Sequence, residues 1–231
     1  RAPRGTSDTL PTEQGYWSFF QSRAEEMAAR FGYGRIDTPV FEDARLFVRG
    51  IGEVTDIVEK ETYTFEDRGG DLITLRPEAT APVCRAYLEH GMHVQPQPVR
   101  LYSVRAPMFR YDRPQAGRSR QFHQLNVEAF GVEDPAIDAE IIEMACRLLQ
   151  ELSIEGAALV VNSVGCPTCR PAFTQGLLSV LGEDLPRLCQ DCQRRAQTNP
   201  LRIFDCKVPS DQPIIDALPH SIDYLCGPCR E

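Results

Sequence analysis

Across residues 12–31 the apolar positions Tyr16, Phe20, Ala24, Met27, Ala28 and Phe31 recur at the spacing of one helical face, and Gly32 and Gly34 supply its stop. "RIDTPVFED" then reads as a short extended segment interrupted by Pro39. "ETYTFEDRGGDLITLRPE" predicts a hairpin with its turn at 67–71. "EATAPVCRAYLEHG" predicts a helix with Pro82 in its first turns and Gly91 at its end. Two further strands, "VRLYSVRAPMFRYD" and "QFHQLNVEAFG", flank "RPQAGRSR". Asp134 is placed to cap a helix that has Pro135 at its first position and Ile141, Ala145, Leu148, Leu149 and Leu152 on its apolar face. "AALVVNSVG" reads as one more strand.

Strands joined by hairpins, with helices inserted between them, predict an α+β fold: an antiparallel sheet flanked by helices. The alternating pattern of a Rossmann fold and the P-loop GxxxxGK[ST] are both absent, so a bound nucleotide must be held in another way. The expected division is a body over residues 1–165 and a small, mostly helical, cysteine-rich insertion over 166–231.

Composition narrows the function. The chain has 231 residues, a net charge of −8 and a pI near 5.1, which argues against coating nucleic acid by bulk charge. No apolar run is long enough for a membrane span, and the start "RAPRGTSDTLP" has no secretory core. Nine cysteines without a secretion signal suggest a reducing, cytoplasmic setting, with Cys84 and Cys146 as core residues. The chain does not start with Met, so residues are expected to precede it.

Against that acidic background, Arg110, Arg113, Arg118 and Arg120 gather on one hairpin. Side chains alternate along a strand. Leu125, Val127 and Ala129 therefore share a core face, to which His123 also belongs, as a structural histidine. Phe122, Gln124, Asn126 and Glu128 share the opposite face, which Arg110 and Asp112 can join from the preceding strand. That set offers cations for phosphate, an aromatic plate for a base and carboxylates for an amine or imidazole. The plain alternative is a solvated polar face. Phe122 among polar neighbours favours stacking instead, and Gly117 would let the loop arginines close on a ligand.

"FRYDRPQAGRSRQFHQLNVEAFG" resembles motif 2 of the class II aminoacyl-tRNA synthetases, in the form used by the histidyl-tRNA synthetase family. "RGTSDTLP", "FGYGRIDTPVFED", "TLRPEATAP" and "TNPLRIFDCK" resemble its N-terminal signature, its motif 1 at the dimer interface, its amino-acid-binding segment and part of its insertion domain. The resemblance implies an ATP-dependent ligase that activates histidine to histidyl-adenylate and transfers it to tRNA(His), with Mg2+ accompanying ATP. It implies Arg110 as the catalytic arginine at the α-phosphate, and Asp112, Arg118 and Phe122 as further ATP-binding residues. Glu78, Thr80, Gln124 and Glu128 would bind histidine, Glu78 and Thr80 at the α-amino group and Glu128 at the imidazole. Asp112 stands where the family usually has Glu, and Ala79 where it often has Gly. "YSVRAPMFR" carries one residue more than the family pattern, which a strand bulge would absorb. A homodimer through 12–31 and "RIDTPVFED" is expected, and Trp17, Phe19 and Phe20 give that helix surplus aromatic surface. The family continues with a histidine-specific segment, motif 3 and an anticodon-binding domain, none of which occurs here. The expectation is an N-terminal fragment, weak or inactive alone. The alternative is a histidine-binding regulatory paralogue acting on histidine biosynthesis.

Seven cysteines lie between Cys166 and Cys229. Cys166 and Cys169 at the entrance of the insertion, with Cys226 and Cys229 at its exit, would form one structural zinc site across the neck. A rival set takes Cys189, Cys192 and Cys206. Without metal these are buried or free thiols. Arg187, Arg194, Arg195 and Arg202 would face tRNA.

Overall fold

A computed structural model describes residues 1–51, 62–111, 114, 117–163 and 165–230. The chain divides into two compact units, 1–157 and 158–231.

In the first unit, helix α1 (Gln14–Arg30) ends at Phe31, and Gly32 takes φ +77° to turn the chain into strand β1 (Gly34–Arg35). Strand β2 (Phe41–Asp43) leads into helix α2 (Ala44–Ile51). Strands β3 (Tyr63–Glu66) and β4 (Leu72–Leu75) form the expected hairpin. Asp67 closes its turn, accepting from Gly69 N and Asp71 N. Helix α3 (Thr80–Glu89) precedes the long strands β5 (Val99–Phe109) and β6 (Gln121–Phe130), then helix α4 (Pro135–Glu151). The Asp134 carboxylate accepts from Ala136 N at 2.9 Å, a cap worth about 1 kcal/mol.

Fold class and hairpins are as predicted, but the described strands form two sheets rather than one. One has the order β1-β5-β6, with β1 parallel to β5; the other has the antiparallel order β2-β4-β3. Helices α1 and α4 cover one face of β5–β6. Ala24, Met27 and Ala28 of α1 meet Tyr102, Val104, Met144 and Leu148 there, with Leu125 and Val127 at the margin. The apolar face of α4 therefore runs through Met144, while Ala145 is exposed. Arg100 of β5 holds Glu140 of α4 in a two-point ion pair at 3.0 and 3.1 Å. Burial first, then the Glu140 hydrogen bond, pushes the Tyr33 phenol up to about 12.

The β5–β6 ladder carries the extra residue as a bulge. Ser103 pairs with Asn126 and Ala106 with Gln124, and Arg105 takes the left-handed φ of 57°. A regular strand would keep Tyr102, Val104, Ala106, Met108 and Arg110 on one face. The bulge puts Tyr102 and Val104 under the helices, and Ala106 and Met108 on the opposite face with Phe122.

Arg76 ties the two sheets together. Its side chain is buried and donates to Pro107 O at 2.9 Å, to Thr38 O at 2.9 Å and to Thr38 Oγ1 at 3.0 Å. Its backbone bonds Val40 on one side and Phe109 on the other.

The second unit contains helices α5 (Cys169–Leu181), α6 (Gln190–Thr198), α7 (Gln212–Ile215) and α8 (Gly227–Arg230). Leu177, Leu181, Leu188, Ile203, Ile215 and Leu218 form its core. The strand expected in "AALVVNSVG" does not form among the described residues. Leu159, Val160 and Val161 stand 61%, 86% and 71% exposed, because an extended segment becomes a strand only when a neighbour completes its ladder.

Candidate active site

The site is the face of β5–β6 opposite α1 and α4. Alternation along β6 puts Phe122, Gln124, Asn126 and Glu128 on it, over about 20 Å at the rise of an extended chain. At one end, the Glu128 carboxylate accepts from Thr80 Oγ1 at 2.6 Å and from Asn126 Nδ2 at 3.2 Å. Thr80 opens α3, and Glu78 accepts from the backbone N–H of Thr80 at 2.6 Å and of Ala81 at 2.9 Å. Glu78 is thus the anionic cap of that helix, its carboxylate engaged before any ligand arrives. Gln124 is exposed on the strip, available to a ligand.

At the other end, Phe122 packs against Ala79, Ala106 and Met108. Arg110 follows β5 on the same face, its guanidinium 5.5 Å from the Phe122 ring centre. Its Nε donates to Pro77 O at 2.9 Å, which leaves the terminal nitrogens to reach an anion. Pro77 is fully buried and follows the buried Arg76 in the chain. Sequence reasoning passed over Arg76 because nothing local marks an arginine as buried.

Gly5 is the second residue missed. Its carbonyl accepts from Arg120 N at 2.7 Å, fixing the N-terminal segment to the base of the arginine loop. Its φ is +84°, and a Cβ there would stand 2.8 Å from Arg120 and 2.9 Å from Pro114, so only glycine fits. Arg118 is exposed in this loop. Asp112 and Arg113 lie outside the described residues.

His123 points to the helix-covered face, as expected. Its ring meets Trp17 edge-on at 4.9 Å, and burial lowers its pKa. Arg105 lies over the same Trp17 at 5.4 Å. Trp17 therefore packs within the chain, and the exposed aromatics of α1 are Tyr16 and Phe19, at 79% and 48%. Cys84 and Cys146 are only half-buried.

In the second unit both cysteine sets are brought together, where the sequence had left them as rivals. The ligand atoms of Cys166, Cys169, Cys226 and Cys229 lie within 4.8 Å of one another, and so do those of Cys189, Cys192, Cys206 and Asp211. In the first set, Cys166 and Cys169 sulfurs are 3.5 Å apart and Cys166 and Cys226 sulfurs 3.9 Å. Backbone N–H groups of Cys169 and Thr168 lower the Cys166 thiol to about 6. Arg187 pairs with Asp184 and Arg194 with Asp191, so part of the basic patch is neutralised locally.

A sheet face with an arginine and an aromatic at one end and a carboxylate beside a helix start at the other is the architecture of a class II aminoacyl-tRNA synthetase core. The family profile described as histidyl-tRNA synthetase matches residues 5–168. The histidine–tRNA ligase of Dehalococcoides mccartyi is 55% identical over 229 residues, covering 99% of this chain and 54% of that protein. That of Desulforamulus reducens is 53% identical over 228 residues, with the same coverage of 99% and 54%. The crystal structure of apo histidyl-tRNA synthetase from S. aureus matches at a TM-score of 0.74 and 36% identity, over 99% of this chain and 51% of that one. A Bacillus halodurans structure described as an ATP phosphoribosyltransferase regulatory subunit/histidyl-tRNA synthetase, 20% identical with a TM-score of 0.64 over 94% of this chain and 54% of that one, shares the fold. The chain belongs to the histidyl-tRNA synthetase family, and it spans about half the length of the curated relatives it matches.

Proposed function

We propose that this chain carries part of a site that activates histidine with ATP and passes it to tRNA(His). The observation behind this reading is Glu128, held by Thr80 and Asn126 on the same sheet face as Phe122 and Arg110. An imidazole N–H can donate to that carboxylate, and an apolar competitor would leave it unpaired. Glu78 and Thr80 receive the α-amino group, Gln124 lines the strip between, and Phe122 stacks on adenine. Arg118, and Asp112 beyond the described residues, complete the ATP contacts.

ATP enters with its Mg2+ as one substrate. Mg2+ demands oxygen ligands, which the ATP phosphates supply, so the ion travels with them. The histidine carboxylate oxygen attacks the α-phosphorus in line, the bond to the bridging oxygen breaks, and pyrophosphate leaves with that electron pair. Arg110, braced by Pro77 O, meets the charge that builds on the α-phosphate oxygens. No general base is required, because positioning and electrostatics carry the step. With the chain extended to the length of its relatives, Arg110→Ala is expected to lower histidine-dependent ATP–pyrophosphate exchange by roughly 3–4 kcal/mol of transition-state stabilisation. Exchange near the unmodified rate would overturn the assignment. The regulatory-paralogue reading is not better supported: the match described as a regulatory subunit is 20% identical and shows the fold alone, and a histidine sensor has no use for Arg110 placed to meet an α-phosphate.

The protein works as a cytoplasmic homodimer on this reading. Tyr16, Phe19, Val40 and Phe41 are exposed apolar residues on α1 and the segment entering β2, which suits a mutual interface. Among the described residues no helix is long and apolar enough to cross a membrane. Phe19→Asp is expected to shift sedimentation of the extended protein from dimer to monomer; an unchanged dimer would count against this interface. Cys166, Cys169, Cys226 and Cys229 hold one structural zinc that closes the second unit near its two ends, their sulfur separations matching the roughly 3.8 Å edge of a four-thiolate tetrahedron.

A further inference from the structure

We infer that the second unit contains another closed metal site, in which Cys189, Cys192, Cys206 and Asp211 bind a zinc-class divalent ion. The starting point is Asp211. It is 1% exposed, and its ligand oxygen lies within 4.8 Å of the Cys189, Cys192 and Cys206 sulfurs, of which Cys192 and Cys206 belong to the unit's buried core. Its partners are the Cys189 N–H at 2.9 Å, the Cys206 thiol at 3.4 Å and the Ser210 hydroxyl at 3.2 Å. No Lys, Arg or His among the described residues forms an ion pair with it. A carboxylate so deep in an apolar core is paired with a cation or coordinates one, and here its neighbours are three thiols.

The geometry agrees. The Cys189 and Cys206 sulfurs are 3.9 Å apart, and the Cys206 sulfur is 3.4 Å from Asp211 Oδ2. Zinc–sulfur bonds of about 2.3 Å and zinc–oxygen bonds of about 2.0 Å at tetrahedral angles give edges of about 3.8 and 3.5 Å. The sulfur separation is far beyond the roughly 2.05 Å of a disulfide. Backbone donors already face the ligands, Val208 N–H at the Cys206 sulfur and Cys189 N–H at Asp211, as outer partners do in closed sites. Cys189 caps α6, so the C-x-x-C pair starts that helix, while Cys206 and Asp211 bracket the turn into α7. One ion would join these two segments in a unit with a single small core, where a staple adds most. Cys192 is fully buried and all four ligand positions come from protein, so the site is structural rather than catalytic.

Metal analysis of the full chain, purified without chelator, tests this. The expected content is about two zinc per chain. Cys206→Ala with Asp211→Asn should lower it to about one, and Cys226→Ser with Cys229→Ser should also leave about one. One zinc in the unmodified chain that survives the first pair and is lost with the second overturns this site and keeps the neck. The reverse pattern keeps this site and removes the neck, and no zinc at all overturns both. If the first variant does not fold, zinc X-ray absorption on the unmodified chain decides. A mean shell of about 3.5 sulfurs with about half an oxygen supports the mixed site, whereas an all-sulfur shell at one equivalent overturns it.

Discussion

The two faces of the β5–β6 ladder come from the same residues in alternation, yet they meet opposite fates. Leu125 and Val127 turn toward α1 and α4 and are covered by the apolar sides of both helices. Phe122, Gln124, Asn126 and Glu128 turn the other way, where α3 brings Thr80 to Glu128 and stacks Tyr87 on Phe130 at the strand's end. The covered face is satisfied by packing, and even its histidine is held against Trp17. The other face keeps the Glu128 carboxylate held by two hydrogen bonds, and the Asn126 amide and the Arg110 guanidinium held by one each. The difference teaches where specificity is stored: in polar groups braced by the chain on one side and left to meet a ligand on the other.

The largest effect separating the faces is expected at Glu128. Glu128→Gln retains an oxygen for Thr80 but loses the charge that meets an imidazole. Histidine affinity of the extended protein should fall ten- to a hundredfold, the equivalent of about 1.5–3 kcal/mol for a hydrogen bond to a charged group, while ATP affinity changes little. Calorimetric titration with each ligand checks this, and an equal loss of both would assign Glu128 to the fold instead.

A smaller effect is expected at the bulge. Deleting Arg105 restores regular alternation while leaving Ala106 opposite Gln124, so Arg110 stays on the ligand face. The variant loses the guanidinium stacked on Trp17 and the bond to Gln14, a cost of about 1 kcal/mol in thermal or denaturant unfolding. Exchange activity should survive. Its abolition would mean that the bulge, rather than strand alternation, aims Arg110.

The smallest belongs wholly to the covered face. Burial, with Arg105 adding to it, holds the His123 pKa below 6.5. The unfolded chain therefore takes up this proton near 6.5 while the folded chain does so only at lower pH. Its contribution to stability is complete above 6.5 and is lost as pH falls through the folded value. Trp17 is the only tryptophan, so its fluorescence should titrate with a midpoint below 6.5. His123→Phe should remove that transition; a midpoint at or above 6.5 would contradict the burial.

Much of this was legible from the chain alone, where the determinants are close in sequence. Asp134 and Pro135 start α4 with no outside help, and 67–71 turns the hairpin through the Asp67 side chain. Alternation along 121–130 set Phe122, Gln124, Asn126 and Glu128 on the face opposite α1 and α4. The resemblance also called for the bulge from a single surplus residue. What tertiary structure alone decided involves partners far apart. It set β1 beside β5, left Val160 without a neighbouring strand, and chose Met144 over Ala145 for the inner face of α4. It buried Arg76 beneath Thr38 and Pro107, and it sorted seven cysteines into two clusters by adding Asp211 to one of them. The physical reason is that closing a longer loop costs only slightly more entropy than closing a shorter one. Spacing therefore ranks nearby partners well and distant ones hardly at all, and which distant groups meet is settled by the packing of the apolar surface between them.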